Sequence, residues 1–194
     1  GTGTTQWTLN AASEITQLSS PQGTIGYGYD LAGRMTSLTE GGVGTTSLIY
    51  DDASRLTQLT NALSEVTSWL YNSAGRTTRR TLASGAFSDY TYDSTSMLTA
   101  VNHKKSDGTL LGSESYSYDL DGRLTSKTSA GVTSSYSYDD AHRLASETKP
   151  SYAASYTYDA DGNRLSKTLN GVVESYSYNL ADRLLSATIG SNTK

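Results

Sequence analysis

Between Ser115 and Leu144 large apolar residues fall on every second position and then break off at a short polar cluster. The pattern reads Tyr116-Ser117-Tyr118, Asp119 to Gly122, Arg123-Leu124, then Tyr136-Ser137-Tyr138, Asp139 to His142, Arg143-Leu144. Strict alternation puts both rings on one face of a strand and the hydroxyls on the other, whereas a helix would scatter them. The polar cluster opens on Asp119 and reaches Gly122 where the chain needs a positive φ, which predicts a three-residue hairpin loop closed by a glycine bulge. With Asp119 paired to Arg123, Tyr118 falls opposite Leu124 and shares its face. A two-residue loop would split the apolar set across both faces.

The return turn follows the same logic. Thr128-Ser129-Ala130-Gly131-Val132 reads as a second three-residue loop ending in glycine, which brings Leu124 opposite Tyr136. In Tyr158-Asp-Ala-Asp-Gly-Asn163-Arg164-Leu165 an extra residue moves Leu165 one place late, and the following Asn170-Gly171 turn is one residue shorter than its counterpart. The two changes cancel, so Leu165 is expected between Tyr158 and Tyr176.

The unit recurs along the whole chain. Its second large apolar residue is Leu9, Tyr29, Tyr50, Tyr71, Tyr92, Tyr118, Tyr138, Tyr158 and Tyr178, at spacings of 20, 21, 21, 21, 26, 20, 20 and 20. Two residues earlier runs Trp7, Tyr27, Leu48, Trp69, Tyr90, Tyr116, Tyr136, Tyr156 and Tyr176. A fixed period near 20 is the signature of a repeat architecture. The chain therefore reads as one all-β domain over 1–194, with units near 7–26, 27–47, 48–68, 69–89, 90–115, 116–135, 136–155, 156–175 and 176–194. About nine β-hairpins are expected to form one long antiparallel, twisted and curling sheet.

Irregular units mark the variations. The first, with Glu14 where others carry Arg, is a degenerate copy. Gly41-Gly42 reads as a two-residue turn, and Asn61 to Val66 and Leu82 to Ala86 as the corresponding tips of the next two units. The Tyr92 unit has Met97 in place of Arg, and Lys104 to Gly108 reads as a longer exposed turn. The chain opens on Gly and breaks off after Ile189-Gly190, where another strand is expected, so it reads as a piece of a longer protein.

Composition narrows the class. With 15 Tyr, one Phe, 18 Gly, 2 Pro and no Cys in 194 residues, this is a turn-rich β protein. A net charge of −4 without a basic block argues against nucleic acid or an anionic membrane as partner. No apolar run is long enough for a membrane span, and the first ten residues lack the features of a signal peptide. No cofactor or metal is implied. Gly23 to Gly28 is glycine-rich without the Lys-Ser/Thr of a phosphate loop, and His103, placed in a linker, and His142, placed in a turn, have no partner at ligand spacing.

Two series of charged residues invite a catalytic reading: Asp30, Asp51, Asp93, Asp119, Asp139 and Asp159, with Arg34, Arg55, Arg76, Arg123, Arg143 and Arg183. Their place at the base of a turn assigns them to structure, Asp satisfying turn amides and Arg facing it across the hairpin. Asn72 and Asn179 stand where others have Asp, and a general base would not tolerate that exchange. The tyrosine rows have two readings: cross-strand stacking at about 0.5–1 kcal/mol a pair, or a surface that grips sugar rings.

The motif Tyr-Asp-x-x-Gly-Arg-Leu, as in Tyr29 to Met35 and Tyr118 to Leu124, with the variant Tyr158 to Arg164, resembles the YD repeats of the Rhs family. That family includes bacterial Rhs and wall-associated proteins, the cocoon-forming components of insecticidal toxin complexes, and the teneurins. The resemblance implies a β-strip that spirals into a hollow shell, extracellular or at a bacterial cell surface, enclosing or presenting a polypeptide effector. The chain has no Asp-Pro, no C-terminal core with an aspartate self-cleavage site and no effector domain, so the protease or toxin activity of relatives is not carried over and no enzyme is expected. Expected partners are further YD repeats of the same chain or identical chains, and an enclosed effector or surface glycans. A self-assembling tube or fibre subunit and a carbohydrate-binding module are the alternative functions.

Overall fold

The computed structural model describes residues 3–190. Among them there is no helix, and eighteen strands belong to one antiparallel sheet. In chain order they are β1 (Gln6–Leu9), β2 (Ile15–Ser20), β3 (Gly23–Tyr29), β4 (Met35–Glu40), β5 (Gly44–Tyr50), β6 (Leu56–Thr60), β7 (Val66–Tyr71), β8 (Thr77–Thr81), β9 (Phe87–Tyr92), β10 (Leu98–Lys104), β11 (Leu110–Tyr118), β12 (Leu124–Ser129), β13 (Val132–Tyr138), β14 (Leu144–Lys149), β15 (Tyr152–Tyr158), β16 (Arg164–Leu169), β17 (Val172–Tyr178) and β18 (Leu184–Ile189). Two compact units share these strands: among the described residues, 3–90 with 103–111, and 91–102 with 112–190.

In both units a hairpin is built the same way. Tyr118 pairs with Leu124 and Ser117 with Ser126, so Thr125 is passed over in a β-bulge. The same slip follows Tyr29–Met35, Tyr50–Leu56, Tyr71–Thr77, Tyr138–Leu144, Tyr158–Arg164 and Tyr178–Leu184. A bulge takes up one residue on one strand and restores the alternation beyond it. That slip decides the return turn. Ser129 pairs with Val132, leaving only Ala130 and Gly131 in the loop, both left-handed at φ 49° and 77°. This is a two-residue type I′ turn, not the three-residue loop expected, and Leu124 does not stand opposite Tyr136.

The Asn163 insertion also disappears. Tyr158 pairs with Arg164 at the same separation as Tyr118 with Leu124. Asn163 occupies the arginine position, Arg164 the leucine position, and Leu165 lies beyond them, 41% exposed. The Asn170-Gly171 loop between Leu169 and Val172 has the two-residue length of Ala130-Gly131. There is nothing to compensate.

Two further turns and one histidine differ from expectation. Glu40 pairs with Gly44, so that loop holds three residues, Gly41 to Val43. Lys104 ends β10, and the turn beyond it runs from Lys105 to Thr109 in the same five-residue form as the others, closed by Gly108 at φ 87°. His103 lies in β10 rather than in a linker, its Nδ1 2.8 Å from the Ser88 hydroxyl. The extra length of the 26-residue spacing goes largely into β10 and the nine-residue β11.

The strand contacts within each unit run between neighbours in the sheet. Val101 and Ala154 are the buried hydrophobic residues among those described, so neither unit has a conventional core. The tyrosine face is half-buried by its own side chains. In β17, and in β13 from Thr133 onward, exposure alternates residue by residue, with Tyr136, Tyr138, Tyr176 and Tyr178 on the more covered side.

Candidate functional site

The recurring site is the turn of each hairpin and the tyrosine of the next. At Asp119 the backbone closes twice, from Asp119 N to Arg123 O and from Gly122 N to Asp119 O, each at 3.0 Å. The Asp119 carboxylate completes the loop. Its Oδ1 accepts from the amides of Asp121 and Arg123 at 3.0 and 2.9 Å, and its Oδ2 accepts from Arg123 Nε at 2.7 Å. Asp30–Arg34, Asp51–Arg55 and Asp139–Arg143 repeat the arrangement. Asp satisfies amides here in the manner of an Asx turn.

Charge is dispensable in this role. At Asn10 and Asn61 the amide side chain caps the same amides, and its Nδ2 donates to Glu14 and Glu65, each at 2.7 Å. Asn72 and Asn179 cap Arg76 and Arg183 through Oδ1. At Asp159 the partner is Asn163, whose Nδ2 donates at 3.1 Å. In the Tyr92 unit Asp93 accepts from the amide of Met97. What these variants keep is an acceptor at the first position, whereas the turns that begin at Leu82 and Lys105 close through the backbone without one.

The carboxyls of Asp30, Asp119 and Asp139 are held below the ordinary aspartate value, chiefly by the backbone amides of Arg34, Arg123 and Arg143 and further by the same guanidiniums. For Asp51 the largest cause is the Arg55 side chain. Asp159 is lowered too, by its bonds to Asn163 against a burial that works the other way. Carboxylates stabilised in this way stay ionised and occupied near neutrality, which suits a turn rather than proton transfer.

Two contacts that sequence reasoning missed run from one hairpin to the next. The first is made by the tyrosine hydroxyl. Tyr50, Tyr71, Tyr138 and Tyr158 donate to the carbonyls of Met35, Leu56, Leu124 and Leu144 at 2.6–2.9 Å. Tyr29, Tyr118 and Tyr178 do the same to Ile15, Leu98 and Arg164. Tyr92 also makes an interaction within the structure. The leucine is therefore bracketed by the marker tyrosines of its own and the next unit, with Tyr138 where Tyr136 was expected.

The second contact belongs to arginine. Arg34, Arg55, Arg123 and Arg143 lie over the rings of Tyr50, Tyr71, Tyr138 and Tyr158, with the guanidinium carbon 4.6–5.2 Å from the centroid. Arg34, Arg55 and Arg143 also donate through Nη1 to the carbonyls of Asp51, Asn72 and Asp159 in the following turn. Arg123 meets His142 Nδ1 instead. Each arginine thus closes its own loop and grips its neighbour. The sequence carried a signal for this, since Arg and the next Tyr stand 15 or 16 residues apart, but it gave no direction to the side chain.

A repeated Asx-type turn, a tyrosine donating backwards and an arginine reaching forwards define a β-hairpin repeat protein whose bonding passes from unit to unit. The RHS Repeat family model matches residues 50–86, 71–109 and 118–154, which together make half of the chain. The chain belongs to the Rhs-repeat family. Among solved structures it is similar to a chain of the Photorhabdus luminescens Tc holotoxin pore, with 19% identity and a TM-score of 0.76 over 96% of this chain. It is also similar to a chain of the TcdB2-TccC3-TEV crystal structure, with 18% identity and a TM-score of 0.75 over 95% of this chain. It spans 12% of the length of each. At this identity the likeness is one of fold. No curated protein matches the chain.

Proposed function

We propose that this Rhs-repeat segment forms part of the wall of a larger secreted or cell-surface protein that encloses or presents a polypeptide effector, its nine hairpins acting as one array. The observation that carries the reading is the direction of the links. Tyrosine and arginine contacts join each hairpin to the next and converge on no single unit, as a wall requires and an active site does not. The solved relatives include components of a toxin complex, and the sheet leaves a largely hydroxylated face opposite its tyrosines.

Carbohydrate recognition through the tyrosine rows is the weaker alternative. Sugar stacking needs an open ring face, and Tyr50, Tyr71, Tyr138 and Tyr158 each have a guanidinium over the ring. Assembly of identical chains into a tube or fibre would use the same strand edges as a continuing wall.

Electron microscopy of the purified chain, and of a longer protein that contains it, distinguishes these readings. The wall reading expects discrete curved or closed particles from the longer protein and protection of an added C-terminal polypeptide from protease. Ordered fibres formed by the chain alone would overturn it in favour of assembly, and an unprotected polypeptide in an intact particle would remove enclosure.

A further inference from the structure

The sheet face opposite the tyrosines carries hydroxyls in register. In the second unit Ser117, Ser126, Ser135 and Thr148 form one row across the strands, Ser137, Ser146, Ser155 and Thr168 another, and Thr157, Ser166, Ser175 and Thr188 a third. In the first unit Thr39 pairs with Thr45 and Ser47 with Thr60 on the same face. Charged strand residues lie on the tyrosine side, with Lys127 opposite Tyr116, Glu147 opposite Tyr136 and Lys167 opposite Tyr156.

One place among the described strands breaks this rule. Arg79, Asp89 and Lys104 stand together on the hydroxyl face of the first unit. Arg79 Nε lies 2.6 Å from Asp89 Oδ1, and Lys104 Nζ lies 3.1 Å from Oδ2. Both cations also flank Phe87, the chain's one phenylalanine, at 4.1 and 5.7 Å from the ring centroid. Register places Leu70, 59% exposed, directly beside Arg79.

The charges do not balance. Asp89 meets one cation through each oxygen and is held ionised by them, so a single carboxylate faces two cations. Arg79 hydrogen-bonds through Nε alone among the described residues and its side chain is 40% exposed, which leaves its two terminal amino groups as donors for a carboxylate. Fork donors, a second cation, an aromatic ring and an exposed leucine converge on a face that is otherwise uncharged.

We propose that this cluster binds an acidic side chain of a second polypeptide, with the carboxylate on Arg79 and Lys104 and a neighbouring apolar side chain against Leu70 and Phe87. The apolar half of the site, Leu70 and Phe87, favours a polypeptide over a small inorganic anion. The proposal rests on the reading of this segment as part of a wall that encloses or presents a polypeptide, but its test is independent of any particle forming.

The test titrates the full chain with a fluorescein-labelled disordered peptide of alternating Glu and Leu, followed by anisotropy at low and moderate salt. Binding should weaken roughly tenfold when Gln replaces Glu in the peptide, and by a similar factor in Arg79→Gln. Leu70→Ser, which touches no ion pair, should weaken it as well. Arg80→Gln, which alters the opposite face, should leave it unchanged, and circular dichroism should report an intact sheet in all three variants. Equal binding of the Gln peptide, an equal loss in Arg80→Gln, or displacement by inorganic phosphate with no effect of Leu70→Ser would each overturn the proposal.

Discussion

The hydroxyl of Tyr138 donates to the backbone carbonyl of Leu124 in the preceding hairpin at 2.9 Å. The bond joins residues 14 positions apart in sequence that lie in different units of the repeat. Because the tyrosine is half-buried, loss of the hydroxyl leaves a partly covered carbonyl without its partner. Tyr138→Phe is expected to cost about 1 kcal/mol, and Tyr178→Phe a similar amount. The two share no partner, so the double variant should add to within about 0.5 kcal/mol in urea unfolding. An unchanged midpoint in both single variants would show that the hydroxyls do not couple the units.

Ala130 holds a left-handed backbone at φ 49°, the first central position of its type I′ turn. Asn170 fills the same place in an equivalent turn at φ 48°. An L-residue with a Cβ is strained there by about 1–2 kcal/mol, and asparagine is among the few that tolerate it. Ala130→Asn should therefore stabilise the protein by on the order of 1 kcal/mol, read as a rise in the thermal midpoint. A fall would mean that Ala130 has a packing role beyond the turn.

Much of this fold was legible from alternation and turn chemistry. Tyr-x-Tyr gave the strands, Asp119 to Gly122 gave the glycine-closed loop, and the pairing of Tyr118 with Leu124 followed from them. The second turn was misread for a physical reason. Alanine is not a signal for positive φ, and the bulge at Thr125 absorbs a residue without leaving any mark in composition. The arginine bridge was hidden differently. Spacing shows that Arg143 and Tyr158 recur together, but only side-chain direction shows that the guanidinium crosses to the next hairpin.

The Asn163-Arg164 pair is a substituted repeat. Asn163 still bonds Asp159, and it reaches Asp182 in the next turn at 2.8 Å, while Arg164 takes the leucine place and bonds the Tyr176 hydroxyl at 3.0 Å. Restoring the common pattern with Asn163→Arg and Arg164→Leu together should preserve the register and raise stability, since the buried Nε of Arg164 has no hydrogen-bond partner. Deletion of Asn163 should instead keep the loop, with Arg164 and Leu165 in the arginine and leucine places, but shift β16 by one residue beyond it and turn its alternation to the wrong face. Denaturant midpoints for the two variants should move in opposite directions.

Acid should loosen the turns. Asp30, Asp119 and Asp139 bind protons less readily when folded than at their ordinary value of 3.8. Groups with depressed folded values contribute stability that is complete above the unfolded value and is lost as pH falls through the folded one. Stability should hold as pH falls towards about 4, then decline below it. Asp119→Asn keeps the capping acceptor and should flatten part of that decline. A protein whose midpoint is equally stable below this window would exclude the carboxylates as the source.

Met97 provides the last test, because nature has already removed an arginine there. The backbone loop still closes, with Asp93 N donating to Met97 O at 3.0 Å, so arginine is not needed to fold its own turn. Its contribution must lie in the neighbour. Arg143 shows what such a residue supplies: a guanidinium 4.6 Å from the ring of Tyr158 and a bond of 2.8 Å to the Asp159 carbonyl. The Met97 side chain already points towards the next turn, where its terminal methyl lies close to Gly122. Met97→Arg should place a guanidinium over Tyr118, slow amide exchange across Asp119 to Gly122 and raise the unfolding midpoint, with Met97→Lys achieving less because it lacks the planar fork. Slower exchange confined to Asp93 through Met97 would mean that the arginine acts within its own loop, and the forward link between repeats would then carry no stability.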